Sequence, residues 1–407
     1  MYIKSMTHRD ELFQLTLRWM NDDFKPEDGK TVSRIFLLEN AISSVVTCRL
    51  MGFLERLFNG PLQMESIRQK QVLRERIIHY LPNQSSRNRH LAEYFRENPE
   101  YFFPRLPLEA VLVTTPDSRL VATGRIKQQC RTAEKVSFRM VDALFLEIQA
   151  EARNIAGQRA AATGVPLDRL ESTPEIMHND FVEAESRVAR HFKNKIVRID
   201  CGKMTINDFI GFKIIGDQEL LDRVPELLNN EPGISVVEME HHTGNYKAVN
   251  LLADIQLPEP EELTAFLNDI DWSIALHRGL NPDELRTDME GYVVQGARSV
   301  QMEIILTTYD ELMESEFGRS IHELRILRLR QRQTYSGLIA QNVAYLVEYL
   351  LALAISPSVV IPELPVKIYG RYLPETIASA KWALYGHEID DSILNAFCAK
   401  RHCSTRR

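Results

Sequence analysis

The sequence lacks several features that would place it in a specialised class of protein. Its five cysteines are odd in number and scattered, so they suggest no disulfide framework. Its 18 glycines and 18 prolines are too few for a low-complexity or collagen-like chain. The 49 Lys and Arg residues are outnumbered by 56 Asp and Glu, and the formal net charge of −7 argues against duplex DNA as a partner. With these classes excluded, we expect an ordinary globular protein of a reducing compartment.

Long uninterrupted hydrophobic runs are also missing. The segment 1–19 carries Lys4, Arg9 and Glu11 among short apolar runs, whereas a secretory signal needs an apolar core of roughly 7 to 15 residues. The most apolar late segment, 342–356, contains Glu348 and is shorter than the roughly 20 residues of a bilayer span. We therefore expect no secretory signal, no membrane partner and a cytoplasmic location.

Common catalytic motifs are absent as well. The chain has no Walker-type phosphate loop, no dinucleotide glycine fingerprint, no Gly-x-Ser-x-Gly elbow and no His-Glu-x-x-His helix. Any phosphate chemistry must therefore come from local clusters of charged residues.

The hydrophobic pattern predicts an α+β fold with helical regions at both ends. Apolar residues at three and four spacing predict helices in the first hundred residues and over 135–162. Five β-rich runs then predict a mixed five-stranded sheet, with a crossing helix over 217–229. The five runs are Lys195–Cys201, Asp208–Ile215, Ile234–His242, Tyr246–Ile255 and Val300–Thr308.

Turn residues and helix-start patterns predict the elements in the rest of the chain. Pro116 and Asp117 separate two β-branched runs and predict a hairpin. Helix starts at Pro260 and Pro282 predict a structured insertion over 256–299, which we expect to affect specificity. Further helices are predicted over 319–355, 374–385 and 390–400. The predicted division is a mainly helical region 1–165, an α+β domain 175–322 and a helical region 323–407.

An acidic pair is the first candidate for chemistry. Asp208 opens one predicted strand and Glu303 lies inside another, opposite the clearest apolar row of its strand. Two carboxylates on neighbouring strands can share a divalent metal ion while one acts as a base. The alternative is that Glu303 occupies a solvated strand position.

A basic cluster and an aromatic turn are the other candidates. Lys193, Lys195 and Arg198 precede or lie in the first predicted strand, and could hold phosphates together with Lys213 and Lys247 if the strands are neighbours. A solvated helix face is the alternative. Tyr246 follows the turn Thr243-Gly-Asn and could stack on a base, although most such tyrosines are half-buried packing residues.

Taken in order, these segments resemble the synthetase domain of the RelA/SpoT family of alarmone synthetases, over about residues 187–322. Four short matches carry the resemblance: Asp208-Phe-Ile-Gly-Phe-Lys213, Asn245-Tyr246-Lys-Ala-Val-Asn250, Glu303-Ile-Ile-Leu-Thr-Thr308 and Glu316-Phe-Gly318-Arg-Ser-Ile-His322. The basic Arg-x-Lys strand of the family would fall on Lys193 and Lys195, with Arg198 close by.

The resemblance implies a nucleotidyltransferase-like fold that transfers pyrophosphate from ATP to a ribose 3′-hydroxyl. Asp208 and Glu303 would hold Mg²⁺, and Glu303 would take the hydroxyl proton. Tyr246 would stack on the acceptor base, and the remaining implied nucleotide-binding residues are Lys193, Lys195, Arg198, Lys213, Lys247 and His322. The acceptor would be GDP, GTP, another nucleotide or the 3′ end of an RNA.

Three departures from the family pattern leave an alternative function open. The glycine before the tyrosine is Asn245, the histidine of that segment is Asn250, and the arginine of the Glu303 strand is Thr307. The alternative is a nucleotide-sensing or protein-interaction module on the same fold, without turnover. A helical interaction protein with an unrelated α+β centre is the third possibility.

Overall fold

The computed structural model describes residues 9–80, 85–126, 129–170, 173–201, 204, 210–295, 298–330, 335, 337–354, 356–361 and 363–385. Among the predicted features, Asp208 and the helix over 390–400 lie outside these ranges.

Within the described ranges the chain alternates between helices and the strands of one sheet. The strands are β1 (Gln63–Gln69), β2 (Pro107–Thr114), β3 (Leu120–Ile126), β4 (Ile210–Gly216), β5 (Ile234–Thr243), β6 (Lys247–Gln256) and β7 (Ser299–Thr308). The helices are α1 (Arg9–Met20), α2 (Asp28–Leu57), α3 (Lys70–Tyr80), α4 (Ser86–Glu97), α5 (Gln129–Thr163), α6 (Pro174–Lys193), α7 (Gln218–Asn230), α8 (Pro260–Asn268), α9 (Pro282–Gln295), α10 (Tyr309–Phe317), α11 (His322–Arg330), α12 (Leu338–Ala352) and α13 (Pro374–Leu384).

The sheet confirms the α+β class but has seven strands among the described residues, not the predicted five. Its order is β1-β2-β3-β4-β7-β6-β5. Strands β4 and β7 are parallel at the centre, and every other neighbouring pair is antiparallel. The predicted hairpin around Pro116 is confirmed as β2 and β3. It joins the main sheet because β3 pairs with β4.

The strand predicted over Lys195–Cys201 is wrong. Lys195 has a φ of 59° directly after α6, and this left-handed conformation ends the helix and turns the chain. The following residues are extended but pair with no strand in the described part of the chain. Asn21, which directly follows α1, donates from Nδ2 to the carbonyl of Val197 at 3.3 Å. The segment therefore connects α6 to the rest of the chain past the end of α1.

One face of the sheet is apolar and forms the main core. Phe212 and Ile214 of β4 and Ile304 and Leu306 of β7 are buried there together with residues of α2, α7 and α12. Burying each such side chain contributes roughly 1.5–3 kcal/mol. Gly124 on β3 lies opposite Phe212, and a Cβ atom there would come within 2.5 Å of the Phe212 ring. The glycine is therefore needed for the aromatic ring to cross the neighbouring strand.

Helix α2 runs through this core. It is the one described helix long and apolar enough to cross a membrane, with a mean hydropathy of 1.3, and 61% of that window is buried inside the protein. The same property is shared by core helices of globular proteins, and here the apolar side chains of α2 pack against the other core elements.

The insertion over 256–299 also packs on the apolar side. Its predicted helix starts are confirmed as α8 and α9, with a 3-10 helix over Trp272–Arg278 between them. Arg278 donates to Ser33 of α2 and to the carbonyl of Leu353 after α12. The insertion therefore supports the core, on the side of the sheet opposite Glu303.

The C-terminal part differs from its prediction. The single helix predicted over 319–355 is wrong, because α11 ends at Arg330 and α12 begins after Gly337, which is extended. The helix predicted over 374–385 is confirmed as α13. The predicted domain boundaries stay predictions, although the sheet takes β1, β2 and β3 from the region predicted to be mainly helical.

Candidate functional site

The second face of the sheet carries polar side chains from four adjacent strands. In the register, Arg125 on β3 lies opposite Gly211 on β4, and Gly211 lies opposite Glu303 on β7. Lys213 and Asn250 both lie opposite Ile305, the next residue of β7 on that face. Because register partners share a face and side chains alternate, Arg125, Lys213, Asn250 and Glu303 point to the same side.

A buried carboxylate organises this face. Helix α10 begins directly after β7, where the hydroxyl of Thr308 accepts a hydrogen bond from the Glu311 amide at 3.3 Å. Two turns later the helix brings Glu316 over the sheet, fully buried. Four cations surround it, with nitrogen to oxygen distances of 2.6 Å for Lys70, 2.8 Å for Arg125, 3.6 Å for Arg74 and 3.8 Å for Lys213.

A second carboxylate completes the pairing on the inner side. Glu323 on α11 lies 2.8 Å from Lys70 and 2.9 Å from Arg74. Arg74 also donates to the backbone carbonyls of Glu316 and Phe102. Around Glu316 and Glu323, four cationic side chains therefore face two carboxylates. Buried charge of one sign needs a counterion, so this surplus of positive charge favours an anionic ligand.

Burial and the cations shift the pKa values of the site. Burial lowers the pKa of Lys213 to about 8, and Glu316 only partly opposes this. Burial, with Arg125 and Lys213, lowers the pKa of His322 to about 3, so the imidazole is neutral at pH 7. Burial alone would raise the pKa of Glu316, but Lys70, Arg125 and Lys213 hold it well below the usual range. Glu316 is therefore ionised in the folded protein at pH 7.

An aromatic residue lies at the outer end of this face. Tyr246 follows the turn between β5 and β6, and Arg319 fixes this turn by donating from Nε to the carbonyl of Asn245 at 3.0 Å. The guanidinium of Arg325 on α11 lies over the Tyr246 ring, 3.9 Å from its centroid. The ring of His242 lies 5.4 Å from Tyr246, tilted by 45°. Burial raises the pKa of the Tyr246 hydroxyl, an effect that Arg325 opposes and Glu303 reinforces.

Several polar atoms of the outer end have no hydrogen-bond partner. Arg125 Nε, Arg325 Nε and Asn250 Oδ1 are all buried in this state. The Asn250 amide donates from Nδ2 to Glu303 Oε1 at 3.5 Å. Glu303 Oε2 lies beside Gly211, 3.6 Å from where a Cβ atom would be. Lys70 Nζ and Glu316 Oε2 also lack a hydrogen bond, but they form an ion pair with each other at 2.6 Å, whereas Arg325 Nε and Asn250 Oδ1 have no such partner. Buried polar atoms are nearly always satisfied in native proteins, so these two atoms favour a ligand at the outer end.

The structure brings together only part of the predicted set. Lys213, Tyr246, Glu303 and His322 converge on the polar face. Asp208 lies outside the described residues. The other predicted cations, Lys193, Lys195, Arg198 and Lys247, are exposed, and no contact joins them to this cluster within the described residues.

The most important residues missed from the sequence are Lys70, Arg74 and Arg125. Arg125 follows Gly124 in a β-rich run, and the structure places it on β3, the strand paired with β4. The sequence does not mark Lys70 and Arg74 as buried site residues, because charged residues at positions i and i+4 are typical of a solvated helix.

Comparisons with known proteins found similar solved structures only. No family model and no curated protein matches the chain. The small alarmone synthetase 1 from Bacillus subtilis matches at 13% identity over 54% of this chain and 89% of that chain, with a TM-score of 0.20.

Two further solved structures match to a similar extent. The Bacillus subtilis synthetase bound to its product pppGpp matches at 12% identity over 56% of this chain and 94% of that chain, with a TM-score of 0.19. The protein smu.1046c from Streptococcus mutans matches at 12% identity over 42% of this chain and 69% of that chain, with a TM-score of 0.19. TM-scores of this size do not establish a shared fold, so the geometry of the polar face must support the function by itself.

Proposed function

We propose that the polar face binds the phosphates of ATP and that the protein transfers pyrophosphate from ATP to the 3′-hydroxyl of a guanosine nucleotide or an RNA 3′ end. The observation that carries this proposal is the surplus of cations around Glu316 and Glu323 on the same face as Glu303. The cations suit an anionic ligand, and the carboxylate suits proton transfer.

The cations have separate tasks in this proposal. Arg125 and Lys213 are the two members of the cluster that lie on the sheet with Glu303, Lys213 on the neighbouring strand β4 and Arg125 on the next strand, β3. Both pair with Glu316, and Arg125 retains an unpartnered Nε for a phosphate oxygen. His322 is neutral and acts as a hydrogen-bonding group rather than as a charge.

Glu303 is the proposed base. The 3′-oxygen of the acceptor attacks the β-phosphorus of ATP, and the bond from that phosphorus to the oxygen bridging the α- and β-phosphates breaks. AMP leaves with the bond electrons, and the hydroxyl proton passes to the Glu303 carboxylate. Asn250 orients this carboxylate through its amide. A positioned carboxylate of this kind contributes typically 10²- to 10⁴-fold to the rate.

Magnesium fits this arrangement by the chemistry of its ligands. The described residues contain no group of three His, Cys, Asp or Glu side chains suited to a metal ion. Mg²⁺ bound to a nucleotide usually takes only one or two protein carboxylates, with phosphates and waters as its other ligands. Asp208 and Glu303 would be those carboxylates, and the ion would neutralise charge that develops on the phosphates.

A nucleotide-binding protein without turnover is the second candidate. Arg325 lies over the Tyr246 ring and the His242 ring lies 5.4 Å from it, so a base that stacks on the face covered by Arg325 would have to displace the arginine. This arrangement favours a site that holds phosphates and places no acceptor. The predicted cytoplasmic location and the predicted lack of membrane and duplex DNA partners stay predictions.

The test is a transfer assay with ATP labelled on its γ-phosphate, magnesium and, in separate reactions, GDP, GTP, ATP and tRNA. We expect the label to move to one acceptor with release of AMP, because the β- and γ-phosphates travel together. Glu303→Gln should lower the rate at least about a hundredfold, since the amide cannot accept the proton. Glu226→Gln is the matched control, an exposed residue of α7 on the apolar side of the sheet, and should keep wild-type activity.

Two outcomes would contradict transfer. Release of ADP instead of AMP would mean that the γ-phosphoryl group moves alone. Binding of ATP without any labelled acceptor would support the nucleotide-binding protein without turnover.

A further inference from the structure

Arg325 is the least well paired cation of the polar face and is half-buried. Its Nη2 contacts Nδ1 of His322 at 3.4 Å, its Nε is shielded from water without a hydrogen-bond partner, and no carboxylate within the described residues forms an ion pair with it. By contrast, Lys70, Arg74 and Arg125 each have a carboxylate oxygen within 3 Å. A shielded donor without a partner costs free energy, so the position of Arg325 favours a ligand.

The geometry points to Arg325 as a phosphate-binding residue that Tyr246 positions, so that Tyr246 is the platform of an arginine and not of a nucleobase. This inference deepens the proposed function and rests on the polar face being a nucleotide site. It assigns Arg325 a role that none of the four sequence matches covers.

The stacking geometry leaves the arginine free to bind an anion. The Cζ atom of Arg325 lies 3.9 Å from the Tyr246 ring centroid, within the range of a cation–π contact. A guanidinium held beside an aromatic ring keeps donors at its edge, and such a planar fork matches two phosphate oxygens. The Nη2 atom contacts Nδ1 of the neutral His322, and the Nε atom has no hydrogen-bond partner.

Arg325 also lies within the electrostatic reach of the inner cations. Its charge acts on Lys213 of β4 and on Tyr246 of the turn, so it joins the phosphate cluster to the outer end of the face. A chain of phosphates running from Lys213 towards Tyr246 would therefore end at Arg325. A nucleobase on Tyr246 would instead have to displace Arg325 or His242.

Binding of inorganic tripolyphosphate and of ATP, measured by calorimetry on the full chain, tests the assignment. Tripolyphosphate has no base, so it reports on phosphate contacts alone. Arg325→Ala should weaken both ligands about tenfold, as expected for the loss of a charge-assisted pair of hydrogen bonds. Tyr246→Leu should weaken both by a smaller common factor, and adding it to Arg325→Ala should cost nothing further. Arg328→Ala is the matched control, since Arg328 is exposed on the same helix.

Other results would overturn the assignment. If Tyr246→Leu weakens ATP but leaves tripolyphosphate unchanged, Tyr246 is a base platform. If Arg325→Ala tightens ATP binding, the arginine covers a base site. If the wild type does not bind tripolyphosphate, Arg325 is no phosphate ligand. A tenfold loss in Arg325→Lys as well would support the planar fork, because lysine keeps the charge.

The inference and the proposed function can fail separately. Arg325-dependent binding of tripolyphosphate with no transfer to any acceptor would keep the assignment and reject pyrophosphate transfer. Transfer with an unchanged KM for ATP in Arg325→Ala would keep the proposed function and reject the assignment. Thermal unfolding of each variant shows whether it is folded. A variant that still binds one of the two ligands, ATP or tripolyphosphate, as the wild type does is also shown to be folded.

Discussion

Two groups of charged and polar residues on the same side of the sheet differ in how completely their charges and hydrogen-bonding atoms are paired. The inner network consists of Lys70, Arg74, Glu316 and Glu323, and each of these charges has an opposite charge within 3 Å. The outer group consists of Asn250, Glu303, Tyr246 and Arg325, where two buried polar atoms have no partner and the arginine has no described ion pair. Both groups use α11, and the outer group also uses β6 and β7.

The difference separates structural charge from charge available to a ligand. A buried ion pair whose members satisfy one another holds elements together, and here the inner network joins α3 to α10 and α11. Buried groups that lack partners cost free energy until a ligand supplies them. Arg125 and Lys213 lie between the two groups, because they pair with Glu316 and border the outer group. Three substitutions test this division.

The largest effect is expected at Glu316. Glu316→Gln leaves Lys70, Arg74 and Arg125 around a neutral group, and breaking a buried ion pair from one side costs about 3–5 kcal/mol. Urea denaturation should show this loss. The control is Glu183→Gln on α6, whose pairs with Arg187 and Arg190 are exposed and contribute little to stability. Equal losses in the two variants would contradict a structural role for the inner network.

A mixed effect is expected at Arg125. Arg125→Gln should lower the free energy of unfolding by about 1–2 kcal/mol, since Glu316 keeps its other cations, and should weaken tripolyphosphate binding about tenfold. Calorimetry and urea denaturation measure the two losses. The control is Arg198→Gln, an exposed residue of the basic cluster expected from the sequence. A binding loss in Arg198→Gln as large as that in Arg125→Gln would show that the sequence-based assignment is the better one.

The smallest effect is expected from pH. Lys213 faces Glu316 of α10, Arg125 of β3, Lys70 of α3 and Arg325 of α11, and burial lowers its pKa to about 8. Tripolyphosphate binding should therefore weaken as the pH rises from 7 to 9. The fall is at most about tenfold, because one-tenth of a group stays protonated one unit above its pKa.

Stability should change in the opposite direction over a higher range. The pKa of Lys213 is about 8 in the folded protein and about 10.5 when unfolded, so the unfolded chain binds more protons between these values and stability rises with pH. Lys213→Arg keeps its charge and should remove both trends. Unchanged pH profiles in Lys213→Arg would assign the titration to another group.

Local signals in the sequence account for most of the fold. Period-two alternation gave β5, β6 and β7 within two residues, and the leucine spacing gave α7. The strand predicted over Lys195–Cys201 is wrong because β propensity indicates that a segment suits an extended, half-buried conformation. It does not indicate whether another strand is available to pair with it. The pairing of β3 with β4 was missed for the same reason, since it joins residues about 90 positions apart. Strand β1, which pairs with β2, was missed as well.

The site was predictable only where a residue type is unusual for its position. Glu303 stands out because it interrupts an apolar strand, and Tyr246 because it follows a glycine turn. Lys70 and Arg74 look like any pair on a solvated helix, and only burial between α10 and α11 distinguishes them. Arg325 belongs to a run of arginines in which nothing local marks the one that stacks on Tyr246.

By itself, the sequence determined the α+β class, the order of most elements and the presence of a carboxylate inside an apolar strand, because these depend on periodicity over a few residues. Only the tertiary structure decided which cations share a face of the sheet with that carboxylate. Charge acts through space, and the chain brings Lys70, Arg74, Arg125 and Lys213 together from three separate elements. Their surplus over Glu316 and Glu323 is a property of the folded chain alone.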